Sequence, residues 1–115
     1  MKKVVFFAFQ ADPMCFVHVL LNGLDMKEKG FEIRIVMEGA ATRLVPELSG
    51  PEHPLHGLYA KAKAQGLFEG ACRACSAKLG TLEAVRREGL PLLEDMSGHP
   101  GMAGFLAEGY EIVTF

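Results

Sequence analysis

Several features are scarce in this sequence, and each scarcity excludes something. No basic run and no interleaving of aromatic with basic side chains is present to follow a phosphate backbone, so nucleic acid is not an expected partner. The longest purely apolar run, Val4 to Phe9, is far too short to span a bilayer, and no membrane association is expected. Met-Lys-Lys ahead of that run resembles the start of a secretory signal. However, Asp12 and Pro13 interrupt it, and no small-residue cleavage site follows. The expectation is a cytoplasmic protein. Cysteine is limited to three residues, an odd number, which favours free thiols or a metal site over a disulfide framework. No internal repeat, linker or low-complexity tract breaks the chain.

The rest of the composition describes one compact domain over 1–115. Half of the 115 residues are hydrophobic and the net charge is only −2, enough chain to bury a core without staples. Lys3 to Phe9 (KVVFFAF) is apolar without alternation, as a strand covered on both faces should be. Asp12-Pro13 reads as an N-cap followed by a first-turn proline, opening a helix to about Lys29 that Gly30 ends. Phe31 to Met37 alternates over its first five residues and reads as a second strand, with Glu32 and Arg34 on its wetter face. Strand, helix and strand form a right-handed βαβ unit.

A short helical piece then covers Ala40 to about Leu48, and Ser49 to Pro54 reads as loop. His53-Pro54 reads as the opening of a helix carrying Leu55, Leu58, Tyr59 and Ala62. A third strand runs from Leu67 to about Arg73. Thr81 reads as the N-cap of the next helix, and Pro91 to Leu93 as a short fourth strand. His99-Pro100 reads as the opening of a last helix, before a final strand, Tyr110 to Phe115. The fold class expected is α/β: three-layer α/β/α, with about five mostly parallel strands and helices on both faces.

In such sheets, ligands sit beyond the carboxyl ends of the strands. The residues at those ends include Gln10 to Cys15, Met37 to Ala40, Cys72 and Cys75, and Met96 to His99. All three cysteines and His99 therefore fall at one edge. Cys72 and Cys75 have C-x-x-C spacing, and a thiol's reactivity is that of its thiolate. Arg73, Lys78 and the start of a helix after the third strand are expected to favour that anion. Each candidate also has a plainer reading. Cys15 and Cys72 could be packing residues, His99 a loop residue, and His53 and His56 solvated surface.

Three mechanisms fit the C-x-x-C. A thioredoxin-like couple lacks its Trp-Cys-Gly-Pro-Cys flanks and would sit after the first strand instead of the third. A zinc site needs two further ligands from His99, His56 or Cys15, and no second C-x-x-C or H-x-x-x-H is present. A persulfide carrier needs a single activated thiol and makes the fewest assumptions.

The all-apolar first strand, the long first helix, the cysteine ending the third strand before a short helical turn closed by glycine, and the terminal YEIVTF together resemble the DsrE/DsrF-like family of sulfur-relay proteins. The resemblance covers nearly the whole chain. It implies that Cys72 accepts sulfane sulfur as a persulfide and passes it on. It also implies a trimeric or hexameric homo-oligomer that meets sulfur donor and acceptor proteins or small sulfur species. Cys75 and the GHPGM loop around His99 depart from the single-cysteine relay pattern, and Cys75 would be a second or resolving thiol. No cofactor and no bound metal are expected on this reading. The alternative is a metal- or small-ligand-binding protein that uses Cys72, Cys75 and His99 without turnover.

Overall fold

A computed structural model describes all residues from Met1 to Phe115. Five strands form one sheet: β1 (Lys3–Ala8), β2 (Glu32–Met37), β3 (Phe68–Cys72), β4 (Leu92–Leu93) and β5 (Glu111–Thr114). Their order is β4-β3-β2-β1-β5, and every pairing is parallel. The helices are α1 (Pro13–Glu28), α2 (Leu44–Leu48), α3 (His56–Ala64), α4 (Arg73–Lys78), α5 (Leu82–Arg87) and α6 (Ala103–Ala107), with a 3-10 turn at Gly39–Arg43.

That order explains the layering. From β1 to β4 the chain steps across the sheet in one direction, and right-handed crossovers put the intervening helices on one face. The large core there joins Val4, Phe6, Ala8, Ile33, Ile35 and Met37 to residues of α1, α2, α3 and α5. The return from β4 to β5 runs the opposite way, so α6 falls on the other face. Its Phe105 packs edge-on against Phe7 (5.7 Å between centroids) and Tyr110 (5.6 Å). The fold is a three-layer α/β/α sandwich, as the sequence pattern implies. β1 lies between β2 and β5, and Val4 to Ala8 are all buried, which accounts for the absence of alternation. Each fully buried Val or Phe there contributes about 1.5–3 kcal/mol.

Local signals were met unevenly. Asp12 caps α1 as expected, its Oδ1 accepting from the Met14 N–H at 2.9 Å, with Pro13 in the first turn. Thr81 occupies the N-cap position of α5 as expected, but its side chain makes no capping bond. It is buried, and its hydroxyl turns back to donate to the Ser76 carbonyl at 3.5 Å. His53-Pro54 does not open α3, which starts at His56; instead His53 Nδ1 accepts from the Leu55 N–H at 3.0 Å. His99-Pro100 likewise lies ahead of α6. His99 closes a tight turn, with Met96 and His99 exchanging backbone bonds at 2.7 and 3.0 Å around Ser97 (φ 51°) and Gly98 (φ 91°).

One contact positions β4. Gly70 has φ 157°, and a Cβ there would stand 2.4 Å from the Pro91 carbonyl oxygen and 2.9 Å from Leu93 Cγ. The missing side chain lets the Ala71 N–H reach that same carbonyl at 2.9 Å. Gly70→Ala should therefore lower unfolding stability by about 2–3 kcal/mol in urea titrations. Gly57→Ala in α3, where an added Cβ meets nothing within 4 Å, should change it by less than about 1 kcal/mol. Equal midpoints for the parent and Gly70→Ala would show that β4 is not held this way.

Candidate functional site

β2, β3 and β4 end side by side, and their exits deliver four side chains to one point. Glu38 follows β2, Cys72 ends β3, Cys75 lies in the first turn of α4, and His99 closes the turn after β4. One ligand atom from each lies within 4.8 Å of all the others. His99 Nδ1 is 3.1 Å from Cys72 Sγ, 3.7 Å from Cys75 Sγ and 3.9 Å from Glu38 Oε1, and Cys75 Sγ is 3.9 Å from the same Glu38 oxygen.

The backbone holds these groups firmly. Cys72 is the N-cap of α4, its sulfur accepting the Cys75 N–H at 3.3 Å. The Ala74 N–H donates to the Gly98 carbonyl at 2.8 Å, latching the His99 turn onto α4. A Cβ on Gly98 would come within 3.3 Å of Ala74 Cβ, so glycine serves both the left-handed φ and this approach. On the far side of His99, the Asp95 carboxylate accepts from the Gly101 N–H at 3.3 Å.

Of the residues singled out from sequence, Cys72, Cys75 and His99 are brought together. Cys15 is exposed in the first turn of α1 and stands outside the cluster. His56 is turned away, its Nδ1 2.8 Å from the Leu48 carbonyl. Arg73 and Lys78 do not act as expected. The Arg73 guanidinium reaches Glu94 at 3.3 Å, and Lys78 is exposed in the last turn of α4, the end remote from the thiols. Without a cation beside it, Cys72 shifts the other way from the sequence expectation. Burial pushes its thiol up to about 12; the Cys75 N–H works against this, whereas the Cys75 thiol and Glu38 add to it. A helix start alone does not offset complete burial.

Glu38 was missed. It falls within the Met37 to Ala40 exit that the strand-end rule marks, but a single carboxylate there carries no spacing signal. It is 7% exposed, and its side chain caps neither the 3-10 turn that follows it nor any other backbone group. Its carboxylate faces the two thiols and the imidazole instead.

These features define an all-parallel α/β protein with a thiol–imidazole–carboxylate cluster at the carboxyl edge of its sheet. The chain is 31% identical over 117 residues to the uncharacterized protein MJ0733 of Methanocaldococcus jannaschii, spanning 96% of this chain and 93% of that one. It belongs to the same family as MJ0733. An uncharacterized protein of Archaeoglobus fulgidus is 39% identical over 41 residues, 36% of this chain and 67% of that one. No protein-family model matches the chain. Among solved structures, a conserved protein of unknown function, BT1422 from Bacteroides thetaiotaomicron, superposes with a TM-score of 0.69. Its identity is 17%, over 99% of this chain and 95% of that one, a likeness of fold alone.

The three cysteines should differ sharply in reactivity. In metal-free, reduced protein at pH 8, iodoacetamide should modify exposed Cys15 first and half-buried Cys75 more slowly. Cys72, fully buried, should stay unmodified until the chain unfolds. Peptide mapping by mass spectrometry reads this order, and labelling of Cys72 as fast as Cys15 would contradict the burial described.

Proposed function

We propose that Glu38, Cys72, Cys75 and His99 hold one divalent transition metal, and that the protein's role is to bind it. The observation that carries this reading is Glu38. A carboxylate that is nine-tenths buried needs close donors or a cation. The groups facing Glu38 are two thiols and an imidazole: its Oε1 accepts a long, weak bond from the Cys75 thiol at 3.9 Å and lies 3.9 Å from His99 Nδ1, and no lysine or arginine pairs with it.

The spacing suits an ion at the centre. Four donors placed ~2.0–2.3 Å from a tetrahedral ion stand roughly 3.3–3.8 Å from one another. The separations to His99 Nδ1 and Glu38 Oε1 given above, 3.1 to 3.9 Å, need little adjustment. Two sulfurs, one nitrogen and one oxygen form a borderline-soft set that matches zinc better than magnesium or calcium. The hydrogen bond that a ligating histidine usually donates from its other ring nitrogen would go from Nε2 to solvent, since the His99 side chain is 42% exposed. A cytoplasmic setting fits this reading, because thiols kept reduced there are available to a metal.

Sulfur transfer on the same thiols is the second reading, and the half-exposure of Cys75 favours it. The roles then reverse from those the resemblance implies. Cys75 would attack the sulfane sulfur of a donor and displace the donor thiolate. Cys72, behind it, would then release hydrosulfide as the disulfide forms. The trimer or hexamer belonging to that reading draws support from exposed Met14 and Leu21 on α1.

Titrated with zinc, the protein should take up close to one ion per chain, raising unfolding stability by about 2.7 kcal/mol at a hundredfold excess over Kd. His99→Ala and Glu38→Gln should each weaken zinc binding at least tenfold by competition with a chromophoric chelator. Unchanged affinity in Glu38→Gln would remove Glu38 from the site. Zinc absent from the native mass, with added sulfur on Cys75 surviving denaturation, would favour sulfur transfer instead.

A further inference from the structure

We infer that Cys72 and Cys75 are a site of reversible oxidation, at which a hydroperoxide joins the two sulfurs and thereby expels the metal. The inference rests on the metal-binding reading above and adds its regulation. The two sulfurs lie within 4.8 Å of one another, three residues apart on the first turn of α4, and both point at His99 Nδ1. Side-chain rotation alone can bring such a pair towards the ~2.05 Å of a disulfide. The two thiols differ in access. Cys75 is half-exposed, whereas Cys72 is completely buried behind it. An oxidant therefore meets Cys75 first, and the resolving thiol is already in place.

The chemistry balances without any further reactant. The Cys75 sulfur attacks one peroxide oxygen, the O–O bond breaks, and the alcohol (water, for hydrogen peroxide) departs, leaving a sulfenic acid on Cys75. The Cys72 sulfur then attacks that sulfur, the S–O bond breaks, and water leaves as the S–S bond forms. Two thiolates lose two electrons in all, and the peroxide takes up those two electrons together with two protons from solvent, leaving as the alcohol and one water. The same step removes two of four ligands. His99 and Glu38, a nitrogen and an oxygen on separate loops, are left as a two-donor site that holds zinc far more weakly. Cys15 is exposed and stands apart from this chemistry, so oxidation there would join chains without touching the metal.

The test uses the full chain carrying Cys15→Ser, loaded with zinc and exposed to hydrogen peroxide beside a chromophoric chelator. Zinc should appear in the chelator in step with the loss of two thiols, at about one ion per Cys72–Cys75 crosslink found in the peptide map. A phosphine reductant should then restore zinc uptake. Zinc that stays bound while the crosslink forms overturns this inference and leaves the metal-binding reading standing. Zinc that leaves with no Cys72–Cys75 crosslink overturns it equally. A chain that takes up no zinc at the outset overturns the metal-binding reading, and this inference with it.

Discussion

The backbone of β3 comes against the Pro91 carbonyl at Gly70, where any side chain would collide with it. That approach ties β4 to the sheet, although β4 contributes only Leu92 and Leu93. The turn bearing His99 hangs from β4 and is latched to α4 through Gly98, so the imidazole reaches the thiols only if β4 is seated. A two-residue strand has too few ladder bonds to hold a functional loop unaided. The close backbone contact and the turn at Ser97 and Gly98 supply the rest.

The strand order then decides what gathers at the edge. β2, β3 and β4 are neighbours and all parallel, so their carboxyl ends lie together, and a residue leaving each can meet the others over a few ångströms. β1 adjoins β2, but its exit leads through Phe9 and Gln10 to Asp12, which caps α1, and Cys15 goes with that helix into solvent. The difference between Cys15 and Cys72 is one of placement within the same edge. One rides a surface helix, and the other ends a central strand.

Burial sets the chemistry of the cluster. Enclosure raises the pKa of the Cys72 thiol, because its anion loses solvation, so the more accessible Cys75 is the thiol that meets a reactant first. The same enclosure, with a carboxylate and an imidazole converging on the sulfurs, is what a cation would use. The resemblance to sulfur-relay proteins draws attention to Cys72 by its position at the end of β3. On the metal-binding reading proposed above, the same sulfur would serve as a ligand.

The sequence alone determined the α/β class, the all-apolar buried strand, the Asp12 cap and the gathering of chemistry beyond the strand ends. These are local or periodic properties: apolar runs, proline and glycine punctuation, and the fixed hand of βαβ crossovers. It also picked out Cys72, Cys75 and His99. Only the tertiary structure decided that Glu38 completes the cluster, that Arg73 turns to Glu94 instead of the thiols, and that Thr81, at the N-cap of α5, bonds backward to Ser76 instead of making a capping bond. Each of these depends on which way a side chain turns and which neighbour it meets there. Glu38 and His99 lie 61 residues apart in the chain and are joined only by the order of the strands between them.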